Sequence, residues 1–231
     1  MNIKTCFGIS SCKGGVGKST VACNIAITLA NQGYKVGLLD ADIYGPSVPY
    51  MFDLDQKPEM EEQSLIPHFK YGIELMSAGF LLETGSAAIW RGPMVNKALH
   101  QMLIGTKWGS HFSDDIDYLI IDTPPGTGDI HISLLEKYHI DQAIIVTTPS
   151  ALSIADVRKS INLFEITATP ITAILHNMSF VETGKRRIHP FGPVNLENFD
   201  VNVQVELPLF DSIAQNPSAK TIMKNLKNMI K

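Results

Sequence analysis

Ten residues constrain this chain more than any others: Ser11-Cys12-Lys13-Gly14-Gly15-Val16-Gly17-Lys18-Ser19-Thr20. They follow an apolar run over residues 3–10 that reads as a β-strand, and they lead into residues 18–31, which read as a helix. A glycine-rich turn in that setting is the arrangement of a phosphate-binding loop. Gly14, Gly15, Val16 and Gly17 let successive backbone N–H groups converge on phosphate oxygens at the positive end of the helix. Lys18 is placed to neutralise β- and γ-phosphates, the Ser19 hydroxyl to ligate Mg²⁺, and Thr20 to reach the α-phosphate. The first glycine of the strict G-x-x-x-x-G-K-[ST] pattern falls at position 12, which is cysteine here. Three glycines remain, enough for the nest. A glycine turn carrying an exposed lysine would share the composition but not the placement.

Around this loop, short apolar runs alternate with helix-length amphipathic stretches. Residues 35–40, 118–122 and 142–148 are near-continuous apolar strands, as expected of a parallel sheet covered on both faces. Residues 171–175 add another, and residues 65–68 and 73–77 read as a strand pair around a turn at Lys70-Tyr71-Gly72. Helices are expected over 93–103, 130–137 and 150–165, with Gly33 ending the first helix. The alternation predicts an α/β fold with a mostly parallel central sheet and helices on both faces. At 231 residues, and about 150 residues per domain, one domain over 1–231 is favoured. Within it, 183–200 reads as an irregular loop and 218–231 as an amphipathic C-terminal helix.

Composition excludes several classes. Hydrophobic residues at 45% and charged residues at 18% argue against disorder. A net charge of −4 counts against nucleic-acid binding driven by overall charge. No apolar run reaches the ~18 residues of a membrane span, and the first residues turn glycine-rich too early for a signal-peptide core. The three cysteines, Cys6, Cys12 and Cys23, fit no zinc spacing, and an odd number makes a poor disulfide scaffold. A cytoplasmic location is the simplest expectation. Cys12, beside Lys13 and a helix N-terminus, reads either as a thiol of lowered pKa or as a small residue tolerated in the turn.

Three acids extend the loop's chemistry. Asp122 ends an apolar strand, where a carboxylate can hold Mg²⁺ through its water shell or cap the next turn. Asp40 and Asp42 flank Ala41 at another strand end, so a period of two would put both carboxylates on one face. Solvated loop aspartates are the other reading.

Lys13 ahead of Gly-Gly-Val-Gly-Lys-Ser resembles the deviant phosphate loop of the MinD/ParA class of P-loop ATPases. Further strings are similar to its Mrp branch, the iron–sulfur cluster carrier ATPases. They are Leu38-Leu39-Asp40-Ala41-Asp42-Ile43-Tyr44-Gly45-Pro46-Ser47, Met76-Ser77-Ala78-Gly79-Phe80, Ile89-Trp90-Arg91-Gly92-Pro93-Met94, Lys97-Ala98-Leu99, Asp117-Tyr118-Leu119-Ile120-Ile121-Asp122-Thr123-Pro124-Pro125-Gly126-Thr127-Gly128-Asp129 and His176-Asn177-Met178-Ser179. In order, they cover most of residues 3–208. The resemblance implies a P-loop NTPase fold and a homodimer with nucleotide sandwiched at its interface. It also implies slow, Mg²⁺-dependent ATP hydrolysis, and an iron–sulfur assembly partner or client apoprotein. By the same resemblance, Lys13 reaches the partner's nucleotide, Asp42 orients the attacking water and Asp40 supports the metal. The Gly126 N–H senses the γ-phosphate, Asn177 reads adenine, and residues 205–209 form a loop over the base.

The branch carries a Cys-x-x-Cys pair after the Asn-Met-Ser string, thought to hold a [4Fe–4S] cluster between subunits. Residues 180–192 contain no cysteine here, and such clusters need soft thiolates, which argues against a [4Fe–4S] cluster at that place. Lys185-Arg186-Arg187 with His189 could meet an anion or simply be solvated. In residues 218–231, Ile222, Met223, Leu226, Met229 and Ile230 form an apolar stripe with four lysines, suited to packing on the sheet or to a membrane surface. A positioning ATPase of the ParA or MinD kind, acting on DNA or membrane, is the alternative. The Tyr44-Gly45-Pro46 and Trp90-Arg91-Gly92-Pro93 strings favour the carrier branch.

Overall fold

The apolar runs become strands of one sheet and the amphipathic stretches become its covering helices. The structure, a computed structural model, describes residues 3–81, 92–183, 186–192, 199, 201 and 203–209. In chain order the strands are β1 (Ile3–Ser10), β2 (Val36–Asp40), β3 (Met60–Glu61), β4 (Ser64–Leu65), β5 (His68–Lys70) and β6 (Ile73–Ser77). After these come β7 (Ile116–Asp122), β8 (Gln142–Thr147), β9 (Ile171–Thr183), β10 (Arg186–Ile188) and β11 (Gln204–Pro208). The helices are α1 (Lys18–Ala30), α2 (Val48–Met51), α3 (Gly92–Leu103), α4 (Asp129–Lys137) and α5 (Ala151–Ile166).

The main sheet runs β10-β9-β8-β1-β7-β2-β6-β5, with β11 also on β9. Pairing is parallel except for β5 against β6 and β10 against β9. Every residue of β2 and β6 is buried. Successive strand side chains point to opposite faces, so both faces are covered. Helix α1 is apolar nearly all round and buries Val21, Ala22, Ile25, Ala26 and Leu29. Each such Val, Ile or Leu contributes about 1.5–3 kcal/mol by leaving water. Gly37 on β2 has a packing reason: an added Cβ would lie 2.9 Å from the Trp108 ring.

Register places the site. Asp40 pairs with Asp122 across β2 and β7, and Ile9 pairs with Asp122 across β1 and β7. The carboxyl ends of three neighbouring strands therefore finish together, where crossovers leave in opposite directions and ligands bind in open α/β sheets. Among the described residues, no helix is long and apolar enough to cross a membrane.

Several local expectations need correction. The strand expected over 65–68 is instead β4 and β5, split by Pro67, which has no amide to donate. The turn joining β5 to β6 is Tyr71-Gly72 alone, both at positive φ (52° and 78°), as a two-residue hairpin turn requires. The irregular loop expected over 183–200 contains β10, which pairs with β9 through Ile188 opposite Val181 and Arg187 opposite Glu182. Residues 205–209 are not a loop but mostly β11, with Val205 and Leu207 buried and Glu206 between them, the alternation of a half-covered strand. The helix expected over 218–231, and the Ile89-Trp90-Arg91 string, lie outside the described residues.

Candidate nucleotide-binding site

Strand β1 delivers Ser10 and Ser11 to the carboxyl edge of the sheet, and the chain then turns through 12–17 into α1. Gly17 caps α1 in the left-handed region (φ 81°). A side chain there would be strained, and its Cβ would sit 2.3 Å from Asn177 Nδ2. The loop surrounds a cavity of about 260 Å³ lined by Gly14, Gly15, Lys18, Ser19, Thr20 and Asp42, among others. A larger cleft, about 680 Å³, lies among Glu59, Lys107, Trp108 and Asp114. That cleft is at the end of the sheet where β7 begins, away from the loop.

Lys18 and Asp122 form the centre. Both are buried, and Lys18 Nζ lies 2.5 Å from Asp122 Oδ1. Asp122 Oδ2 is buried with no hydrogen-bond partner. Burial pushes the Asp122 carboxyl up, and the Lys18 ammonium and the Ser19 hydroxyl pull against that rise. An unsatisfied, fully buried carboxylate oxygen beside a phosphate loop is the donor that a hydrated Mg²⁺ would complete. The residues present therefore fit the metal and the nucleotide.

Asp40 is placed differently from the expectation. Strand β2 ends at Asp40, so the alternation does not carry on to Asp42, and the two carboxylates do not share a face. Asp40 accepts from Val48 N (3.1 Å), Ser77 Oγ (2.9 Å) and Asp42 N (3.2 Å). It is wholly buried, and burial together with the Asp122 charge pushes it up to about 7. Its carboxyl pins the loop that carries Asp42, with its oxygens already occupied. Asp42 lines the cavity, half-buried, and accepts from Gly45 N at 3.2 Å in a short turn.

The remaining expected residues converge on the same loop. Gly126, at φ 89°, donates its N–H to Ser11 O at 2.8 Å. Asn177, buried on β9, donates from Nδ2 to Val16 O at 2.8 Å, and its Oδ1 is buried without a partner. Lys13 points along α5, with Nζ 2.7 Å from Asp156 Oδ2. Among the cysteines, Cys6 and Cys23 are buried and Cys12 is half-buried, all free.

Residues that sequence reading passed over also shape the site. Ser77 ties β6 to Asp40. Asp156 holds Lys13 and also Lys159, whose Nζ lies 3.0 Å from its Oδ1. His131 is buried under the 124–129 turn. The i, i+3 pair of Asp156 and Lys159 is visible in the sequence, but the approach of Lys13 is a tertiary fact.

A strand, a glycine loop and a helix closing on a buried lysine–aspartate pair define a P-loop nucleotide-binding protein of the α/β class. Comparison with known proteins agrees: a family model described as ParA, NUBPL iron-transfer P-loop NTPase, matches residues 2–230. This chain belongs to that family. The iron–sulfur cluster carrier protein of Rickettsia conorii is 42% identical over 225 residues, covering 97% of this chain and 67% of the relative. Across eight curated relatives the chain spans 54–68% of their length. A nucleotide-binding protein of Archaeoglobus fulgidus, solved in complex with ADP, is 31% identical with a TM-score of 0.78, covering 99% of this chain and 88% of that one. The cell-division ATPase MinD of Pyrococcus furiosus, 21% identical with a TM-score of 0.56 over 80% of this chain and 76% of its own, shares the fold.

Proposed function

We propose that this chain is a Mg²⁺-dependent, slowly hydrolysing ATPase that works as a homodimeric switch, with nucleotide between its subunits, in iron–sulfur cluster assembly or transfer. The observation that carries the reading is the buried Lys18–Asp122 pair with one Asp122 oxygen unsatisfied. A triphosphate entering the loop gives Lys18 a stronger anionic partner. Asp122, through water, and the Ser19 hydroxyl would then hold Mg²⁺. The metal supplies charge neutralisation of the β- and γ-phosphates.

Two further groups sit on partners within the chain that a nucleotide and a second subunit would replace. The Gly126 N–H rests on Ser11 O, and Lys13 rests on Asp156. In the proposed cycle the first turns to the γ-phosphate, and the second crosses to the nucleotide of the other subunit. Asp42 faces the cavity, where it would orient the attacking water, while Asp40 acts through the loop it anchors. The unpartnered Asn177 Oδ1 suits the exocyclic amine of adenine, which supports ATP over GTP.

The cluster enters as cargo. No cysteine lies in residues 180–192, and among the described residues no three His, Cys, Asp or Glu side chains gather to hold a metal. In this reading the thiolates are supplied by a cysteine-bearing partner or client apoprotein. Lys18→Ala should abolish ATP binding, and Lys13→Ala should leave binding but reduce dimer-dependent hydrolysis. Full hydrolysis by Lys13→Ala would remove the cross-subunit role. Anaerobic purification should give the chain without bound iron or sulfide unless a cysteine-bearing partner is present.

A further inference from the structure

Gly126 is gripped at both ends. Its N–H donates to Ser11 O of the phosphate loop at 2.8 Å, and its carbonyl oxygen lies 2.8 Å from His131 Nδ1. His131 stands in the first turn of α4, 1% exposed, with its ring edge-on to Phe164 of α5 (centroids 6.0 Å apart, planes at 71°). Its other nitrogen, Nε2, faces Ser10 Oγ at 3.5 Å, the limit of a hydrogen bond. A carbonyl can only accept, so Nδ1 carries the proton. Burial pulls the imidazole down to about 4, against the opposing pull of the Gly126 and Pro124 backbone, so near neutrality the ring holds one proton.

We infer that His131 is a positioning residue for ATP hydrolysis, a fixed pivot that holds the Gly126 carbonyl while the Gly126 N–H leaves Ser11 and turns to the γ-phosphate. Two features of the geometry support this. Gly126 sits at φ 89°, where glycine alone moves freely, so the residue can swing about its Cα with one end held. The imidazole is 1% exposed and is held between Phe164 and the turn it supports. Nucleotide affinity comes from the loop amides and Lys18, whereas the hydrogen-bond partners of His131 are Gly126 and Ser10. The pivot therefore acts on turnover and not on binding. The inference rests on the ATPase reading above.

Two isosteres separate the nitrogens. His131→Asn places an amide N–H where Nδ1 was, keeping the donor to Gly126. His131→Gln places one where Nε2 was, keeping only the approach to Ser10. Loss of a supporting hydrogen bond of this kind costs about 10–100-fold in turnover. His131→Gln should thus lower kcat at least about tenfold, with the dissociation constant for ADP within about twofold of wild type. His131→Asn should recover most of that loss. Equal kcat losses in both variants, or a loss confined to ADP affinity, would overturn the pivot. A second measurement needs no variant: ¹⁵N NMR of the imidazole should show Nδ1–H retained when a non-hydrolysable ATP analogue binds, and its loss overturns the inference. If the wild-type chain releases no phosphate from ATP, the ATPase reading falls and this inference falls with it. If wild type turns over while the two variants match each other, only the inference falls.

Discussion

Replacing Lys18 by methionine should destabilise the fold as well as silence the loop. The ammonium lies 2.5 Å from Asp122 Oδ1, with side-chain exposures of 6% and 0%. The second Asp122 oxygen already lacks a partner. Methionine keeps the volume but strands a carboxylate in the interior, and breaking a buried pair from one side costs about 3–5 kcal/mol. With a urea m-value of about 3 kcal/mol/M for a chain of this size, the midpoint should fall by roughly 1–1.7 M. The loss should shrink in more acidic buffer, because burial already favours protonated Asp122 and protonation removes the stranded charge. Lys18→Met combined with Asp122→Leu removes both charges and should return to within about 1 kcal/mol of wild type. Equilibrium urea unfolding without nucleotide reads all three proteins. A Lys18→Met loss below about 1 kcal/mol, or a double variant no more stable than the single one, would mean that no charge is stranded at Asp122.

Gly17→Ala should lower the melting temperature and weaken ATP binding together. The left-handed φ alone costs about 1 kcal/mol or more, and the new Cβ would push Asn177 from Val16; calorimetry reads both. Gly37→Ala forces a methyl against the Trp108 ring and Ile116 and should cost about 1–3 kcal/mol while leaving ATP affinity unchanged. The buried His131 gives a pH signature. Its native pKa of about 4 lies below the ordinary value of 6.5, so its contribution is fully present above pH 6.5. It is lost as pH falls from 6.5 through 4, reaching about 3 kcal/mol. Asp40, raised to about 7, favours the folded state over the same acid range. The difference between wild type and His131→Asn isolates the imidazole, and a difference independent of pH contradicts its neutral burial.

Much of the fold is legible in the sequence. The strands covered on both faces announced themselves as unbroken apolar runs such as Leu119-Ile120-Ile121 and Ile144-Ile145-Val146, and the glycine loop fixed its own neighbours. Boundaries failed where one residue outweighed composition. Pro67 split a strand, and the Gly, Pro and Asn content of 183–200 hid a short antiparallel strand made by Val181 and Ile188. At the site, residue types were readable but their partners were not. Asp40 and Asp42 look equivalent in the sequence, yet the strand ends between their roles: one anchors a loop and the other lines the cavity. The contacts of Asp156 with Lys13 and of His131 with Gly126 are not legible, because they arise only when α5 and α4 pack into the fold.

In the proposed cycle the loop built around Lys18 binds ATP with Mg²⁺ and hydrolyses the nucleotide. Phosphate release from ATP by the purified chain, followed with and without Mg²⁺ beside Lys18→Ala, tests it most directly. Slow release that requires Mg²⁺ and disappears in Lys18→Ala is the predicted result. Release that persists without Mg²⁺ or in Lys18→Ala, or no release from the wild-type chain, would contradict it.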